Sequence, residues 1–335
     1  MDNLNAVLHQ MQDFGIELRR APGPDDVQRI QDMKEGKRTT IGKGGKSWFK
    51  FYLFRPDKGG VYITGSFGTY RGGGSWEKVE QDWAPLSAAE RERQARDRAE
   101  ASARAAAERE EARRIAAMRA GELWHFASRE GRSPYLERKG LQGEACRYLP
   151  DGTLVILMLR YDLPREQAVQ AAQRIMPNGE KMYSAGFSKP GCSLRLGTVD
   201  DSTQLIAVVE GYATGLTVRT ALDHQIPVYV AFDAGNLHHV VPMLRELHPD
   251  VRLLICADDD WLTRDPITKK LNNPGRTAAK AIAKRVPCVD IVYPVFDSTR
   301  QRGDTDFDDL RLRQGIEAAA RQLQGAVRMM ERVHG

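Results

Sequence analysis

Glu210, Asp258 and Asp260 are the residues whose type and spacing best suit chemistry. The apolar run LIAVV (Leu205–Val209) leads into Glu210-Gly211, and LLICA within Leu253–Ala257 leads into Asp258-Asp259-Asp260. Asp233 closes a third such run, VYVAF (Val228–Phe232). Apolar segments that deliver acids to one rim build a cluster of repelling charges, which a cation relieves. Oxygen-only ligands without Cys or His select a hard ion. Mg²⁺ is the usual one beside phosphates, with Mn²⁺ as the alternative. Asp258 and Asp260, two residues apart on an extended segment, can both face the ion while Asp259 points away. The chemistry this suits is metal-assisted phosphoryl transfer on nucleic acid. A further acidic run, Asp304, Asp306, Asp308 and Asp309, could add a ligand. Each piece alone also reads as a turn, a helix cap or a solvated loop. The order Glu-Gly, then Asp-x-Asp, each closing an apolar strand, points to a site.

Positioning these acids requires strands alternating with helices. The pattern predicts strands Leu205–Val209, Val228–Phe232, Val251–Ala257 and Val289–Tyr293, and helices Ala213–Asp223, Asn236–Leu247 and Gly275–Arg285. Such alternation implies an α/β fold, a parallel sheet flanked by helices, with ligands beyond the carboxyl ends of its strands. Arg276, Lys280 and Lys284 recur at four-residue spacing on the last helix, which suits phosphate contacts or a solvated face.

Upstream the chain divides into three zones before this 201–335 domain. Residues 1–84 predict a small β-rich domain. A short helix (Leu4, Val7, Leu8, Met11) ends at Ala21-Pro22-Gly23-Pro24, and a hairpin joins Trp48–Phe54 to Val61–Thr64. A glycine-rich turn (Gly72, Gly73, Gly74) and Trp76 follow. Its aromatics, interleaved with Lys43, Lys46, Lys50, Arg71 and Lys78, either stack single-stranded bases or form the domain's own core. Residues 85–121 read as a charged helical linker, capped by Ser87 with Glu90 and stopped at Gly121. Residues 122–200 read as a mixed α+β segment. It has a short helix near Glu122–Arg129, a strand at Thr153–Leu159 and a loop-rich basic stretch from Arg174 to Arg195.

At 335 residues the chain suits about two domains, and its net charge of +5 tolerates a polyanionic partner without requiring one. No apolar run approaches the ~18–20 residues of a membrane span, and the N-terminus does not read as a signal peptide. The expected location is the cytoplasm, with no membrane partner. Cys146, Cys192, Cys256 and Cys288 are far apart, so unpaired thiols and no zinc are expected, with Cys256 in the core.

The stretches VVEGYATGLTVRTA (Val208–Ala221), VAFDAGNL (Val230–Leu237), LLICADDDW (Leu253–Trp261), NPGRTAA (Asn273–Ala279) and GDTDFDDL (Gly303–Leu310) resemble, in this order, a Toprim domain. The likeness is to Toprim primases of phages, plasmids and integrated elements. SPYLERKG (Ser133–Gly140) and PNGEKMYSAGFSKPG (Pro177–Gly191) are similar to the basic segment preceding Toprim in primases. The resemblance implies a DNA primase making short RNA primers from ribonucleoside triphosphates on a single-stranded DNA template. By position it makes Glu210 the acid/base residue or a metal ligand, and Asp258 and Asp260 ligands of Mg²⁺ beside the incoming triphosphate. Asp306 becomes an accessory acid, with Asp233 nearby, and Lys181 and Lys189 become contacts to nucleotide or template, joined by Arg276 and Lys280.

The sequence departs from that pattern twice. It has no ligands for an N-terminal zinc module, and Thr214 stands where replicative primases carry an Asp, a trait shared by the mobile-element relatives. No Walker motif is present, so the resemblance implies a separately encoded replicative helicase as partner. Two other readings compete. One is a Toprim nuclease, whose carboxylates activate water. The other is a non-catalytic single-strand-binding or helicase-loading module.

Overall fold

The computed structural model describes residues 1–70, 74–80, 87–264 and 271–334. Gly72, Gly73 and Arg71, named above, lie outside the described residues. The chain separates into two compact units, residues 1–111 and 112–335. No described helix is long and apolar enough to cross a membrane.

In the first unit, α1 (Leu4–Asp13) and α2 (Asp26–Gln31) accompany an antiparallel sheet ordered β1 (Arg38–Ile41), β2 (Ser47–Phe54), β3 (Tyr62–Thr69), β4 (Ser75–Lys78). Strand alternation sorts the aromatics by face. Phe49, Phe51, Ile63 and Phe67 form the core with Val7, Met11, Ile30 and Ile41. Trp48, Lys50 and Tyr52 occupy the other face. The aromatic segment therefore does build its own core, but only with Phe49, Phe51 and Phe67 among its aromatics. Buried Asp26 ties this unit together: it accepts hydrogen bonds from the Arg19 amide and guanidinium and from the Gly42 amide.

Helix α3 runs as a single element, Ala88–Phe126, starting with the expected reciprocal Ser87–Glu90 hydrogen bonds. Gly121 does not stop it. A glycine inside a helix costs only about 1 kcal/mol, and the packing beyond it outweighs that. Nor is the helix solvated throughout. Ala101 and Ala105 are buried within the first unit, and Ala116 and Ala120 within the second. Alanine carries so little apolar signal that these contact points do not stand out from the sequence.

The second unit continues with α4 (Pro134–Lys139) and an antiparallel sheet of β5 (Arg147–Tyr148), β6 (Leu154–Leu159), β7 (Val169–Ile175) and β8 (Lys181–Tyr183). The stretch from Arg174 to Arg195 is mostly loop, as expected, interrupted by the end of β7, by β8 and by the start of the short strand Leu194–Leu196. A second sheet follows, built from β9 (Leu194–Leu196), β10 (Leu205–Val209), β11 (Val228–Val230), β12 (Arg252–Cys256) and β13 (Val289–Val292) in the order β13-β12-β10-β11-β9. Strands β10 to β13 are parallel, as expected, and β9 adds an antiparallel edge.

Helices cover both faces of this sheet, and the side-chain alternation of each strand shows why. Ala207, Val209, Leu254 and Cys256 pack with α5 (Tyr212–Ala221), α8 (Phe307–Gln314) and α9 (Ile316–His334). Ile206, Val208, Leu253 and Ile255 pack with α6 (Ala234–Leu247) and α7 (Pro274–Ala283). Leu154, Ile156 and Met158 of β6 join the first of these cores, so the basic segment and the parallel sheet share one interior. All four cysteines are free, and Cys256 is fully buried.

Candidate active site

Glu210 stands at the carboxyl end of β10, immediately before Gly211 caps α5. Asp258, Asp259 and Asp260 follow the end of β12, the neighbouring strand, so the topology places both acid groups on one rim. Glu210 is buried, and its Oε1 has no hydrogen-bond partner; nor does Oδ1 of Asp258. Buried carboxylate oxygens without a donor are costly unless something positive fills the gap.

The electrostatics carry the same signal. Burial, then the charge of Asp260, pushes the Glu210 carboxyl up to about 7, with Asp233 and Asp306 adding to the rise. Burial, then Glu210, holds Asp258 well above the usual carboxylate range. These acids feel one another, yet among the described residues no three of them stand together as a ready-made ion cage. The donor set is all oxygen and carries partnerless buried oxygens, which fits a hard divalent cation.

Helix α7 closes tightly over this pair. A Cβ on Gly275 would lie 2.4 Å from the Asp258 carbonyl oxygen and 2.9 Å from Glu210 Oε1, so only glycine fits. The Gly275 amide, at the positive end of the helix, donates to Asp260 Oδ2 at 3.2 Å. Asn273 caps the same helix and also binds the acidic loop. Its Oδ1 accepts from the Asp260 amide at 3.1 Å, and its Nδ2 donates to Asp259 Oδ1 at 2.7 Å.

Asp259 points away from the pair, as the alternation predicts, and is held from three directions. Besides Asn273, Arg300 Nη1 donates to its Oδ2 at 3.0 Å, and Arg276 Nε forms an ion pair with its Oδ1 at 2.7 Å, without hydrogen-bond alignment. Arg276 also lies over Tyr293, and Arg300 over Trp261 and Phe296. The structure thus joins Arg276 to the acidic loop, while Lys280 is exposed on α7. Arg300 and Asn273 as anchors escape a reading of the sequence. The Asn-Pro start of α7 signals a cap, but nothing local announces Arg300, 41 residues from its partner.

Asp233 follows Phe232, whose φ of +71° is unusual for a bulky residue, and caps α6 through the Asn236 amide at 2.7 Å. It also pairs with Lys189 at 2.6 Å, so the structure brings together two residues predicted separately. Asn236, buried, accepts from the Gly191 amide and donates to the Cys192 carbonyl, which staples the Lys189 loop to the sheet. Lys181 is exposed on edge strand β8, with no contact to the carboxylates.

The run from Asp304 to Asp309 is not a surface turn, because its carboxyls anchor and cap the helix that follows. Asp304 pairs with Arg313 at 2.9 Å, which holds its carboxyl below the usual range. Asp306 and Asp309 form a reciprocal cap at the start of α8. Burial, then Asp309, raises the Asp306 carboxyl to about 6. Fully buried Asp308 pairs with Lys139 of α4 and with Arg311, and accepts from Thr217 at 2.8 Å. Burial pushes its carboxyl up, but Lys139 and Arg311 outweigh that and lower it.

Residues 205–317 match the family model of the Toprim domain. The chain is similar to two DNA primases TraC of Escherichia coli. One is 31% identical over 214 residues, 63% of this chain and 14% of that protein. The other is 36% identical over 166 residues, 49% of this chain and 15% of that protein. The chain therefore spans about a seventh of the length of these relatives. Among solved structures it is similar to the DnaG primase catalytic domain bound to ssDNA, with a TM-score of 0.40 and 13% identity over 66% of this chain and 80% of that one.

Proposed function

We propose that this chain, whose residues 205–317 carry a Toprim domain, is a DNA primase of a phage, plasmid or other mobile element that makes short RNA primers on single-stranded DNA. One observation carries the reading: Glu210 and Asp258 bury partnerless carboxylate oxygens on one rim of the parallel sheet, in a chain similar to the TraC primases.

In this reading a primer 3′-oxygen bonds to the α-phosphorus of a ribonucleoside triphosphate, and the bond to the β-phosphate oxygen breaks to release pyrophosphate. Glu210, whose carboxyl sits near 7, takes up the hydroxyl proton or holds the group that does. Asp258 and Asp260 would hold Mg²⁺, or Mn²⁺ in its place, and the ion would supply positive charge for the attacking oxygen and the leaving pyrophosphate. Asn273, Arg276 and Arg300 fix Asp259 and so orient its two neighbours. Lys189, held on Asp233 and over Tyr183, is positioned for the phosphates or the template. A replicative helicase is the expected partner.

The test is incubation with labelled ribonucleotides, single-stranded DNA and Mg²⁺. Short products that need the template and are digested by ribonuclease are the expected result. DNA cleavage without synthesis would transfer the site to a nuclease, and neither product, with a replicative helicase added, would remove the enzymatic reading.

A further inference from the structure

The outer face of the first unit's sheet is ordered in rungs. Strand register aligns Trp48 of β2, Gly68 of β3 and Trp76 of β4 in one cross-strand row. The next row aligns Arg38, Lys50, Ser66 and Lys78. An aromatic rung therefore lies beside a cationic one. Gly68 is what lets the two indoles flank it: a Cβ there would lie 2.8 Å from Trp76 Cβ and 3.0 Å from Trp48 Cζ2.

Apart from Trp48, these side chains stand outside the core. Trp76 is 59% exposed, and Arg38 and Lys78 are exposed. Trp48 is only 6% exposed, but the Arg38 guanidinium covers it at 4.0 Å, which extends the flat surface outward. At the far end of the face Tyr52 bonds Ser102 of α3, so the helix covers that end. Among the described residues, the strands contribute no carboxylate to this face. Tyr70 and Lys46, both exposed, lie beside it, the Tyr70 amide donating to the Lys46 carbonyl.

We infer that this face is a docking platform for single-stranded DNA, with bases stacked on Trp76 and on the Arg38–Trp48 pair and phosphates held by Lys50 and Lys78. A free indole next to a row of cations meets the two needs of a single strand: a π-surface for any base and positive charge for its backbone. An apolar protein surface would leave three cations without counter-charge, whereas a polyanion with stacking bases meets both the cations and the indole. The proposal deepens the primase reading by assigning the template a holding surface, and it rests on that reading for the choice of DNA.

The experiment uses the full chain and fluorescein-labelled oligothymidylate, without nucleotides or metal, read by anisotropy over a salt series. Trp76→Ala is expected to weaken binding about 10-fold and Trp76→Phe to restore most of it. Lys50→Ala with Lys78→Ala is expected to flatten the dependence of log affinity on log salt by about 0.7 for each phosphate no longer neutralised. Photocrosslinks from a halogenated pyrimidine strand are expected on the Trp76 peptide. Unchanged affinity in both variants with crosslinks confined to residues 112–335 would overturn the proposal, and tighter binding of oligouridylate than of the DNA would overturn the choice of strand. No catalysis is involved in this readout. A wild type that binds here without making primers would sink the primase reading alone, and primer synthesis without binding here would sink the platform alone.

Discussion

Thr214 Oγ1 donates a 2.8 Å hydrogen bond to Asp306 Oδ2, and the Asp309 amide donates to the same carboxyl's other oxygen at 2.8 Å. Asp306 is thus fully partnered, unlike Glu210 and Asp258. Thr214 holds the Asp306 carboxyl by hydrogen bonding, where a carboxylate in its place would repel it. Thr214→Val is expected to lower unfolding stability in EDTA by about 1 kcal/mol through the missing bond. Thr214→Asp should lower it further, with Mg²⁺ recovering part of the loss. Calorimetry with and without the ion checks both, and equal stability of Thr214→Asp and wild type in EDTA would refute this role.

Asp258 sits among like charges with a partnerless oxygen, so its charge opposes folding when no cation is present. Asp258→Asn is expected to raise stability in EDTA by about 1 kcal/mol while abolishing synthesis, a trade between stability and activity. The rise in Tm that Mg²⁺ gives the wild type should disappear. A variant less stable than wild type under EDTA would mean the acid is a structural anchor.

The close approach at Gly275 sets a third expectation. Gly275→Ala must push α7 away from Asp258 and Glu210, and a displacement near 1 Å at reacting groups costs about 100-fold in rate. Steady-state synthesis by a variant of unchanged circular dichroism measures it; activity within a few-fold of wild type would show that α7 is free to shift.

Asp26 supplies a pH dependence in the other unit. Burial raises its carboxyl, but the Arg19 side chain and the Arg19 and Gly42 amides outweigh burial and leave it below the usual range. A depressed folded value means the stabilisation is complete above the unfolded carboxylate range and fades as pH falls through the folded value. Asp26→Asn is expected to cost about 3 kcal/mol at neutral pH. The gap to wild type should close in strong acid. Unfolding curves over pH check this, and a gap that widens in acid would reverse the sign.

Much of the parallel sheet was legible because fully buried strands advertise themselves as apolar runs. Leu205–Val209 matches to the residue, and the other strands differ only at their ends. The run Val228–Phe232 overshoots because Phe232 leaves extended geometry at φ +71°. The candidate catalytic acids were legible for the same reason: each ends such a run. Their anchors were not, since Arg300 reaches Asp259 across 41 residues and Asn236 reaches Gly191 across 45. Strands β8 and β9, three residues each, are too short for alternation to register. Arg276 and Lys189 read as free cations in the sequence; their acidic partners depend on tertiary contacts that local spacing does not encode.

The most direct measurement is primer synthesis on single-stranded DNA by wild type and Glu210→Gln across a Mg²⁺ titration. The expected result is template-dependent RNA from the wild type that rises and saturates with Mg²⁺, and a loss of about 1,000-fold in the variant, within the range for removing a general acid/base group. Primer synthesis by Glu210→Gln at the wild-type rate would contradict the account, because the buried carboxyl at the end of β10 would then have no part in the reaction.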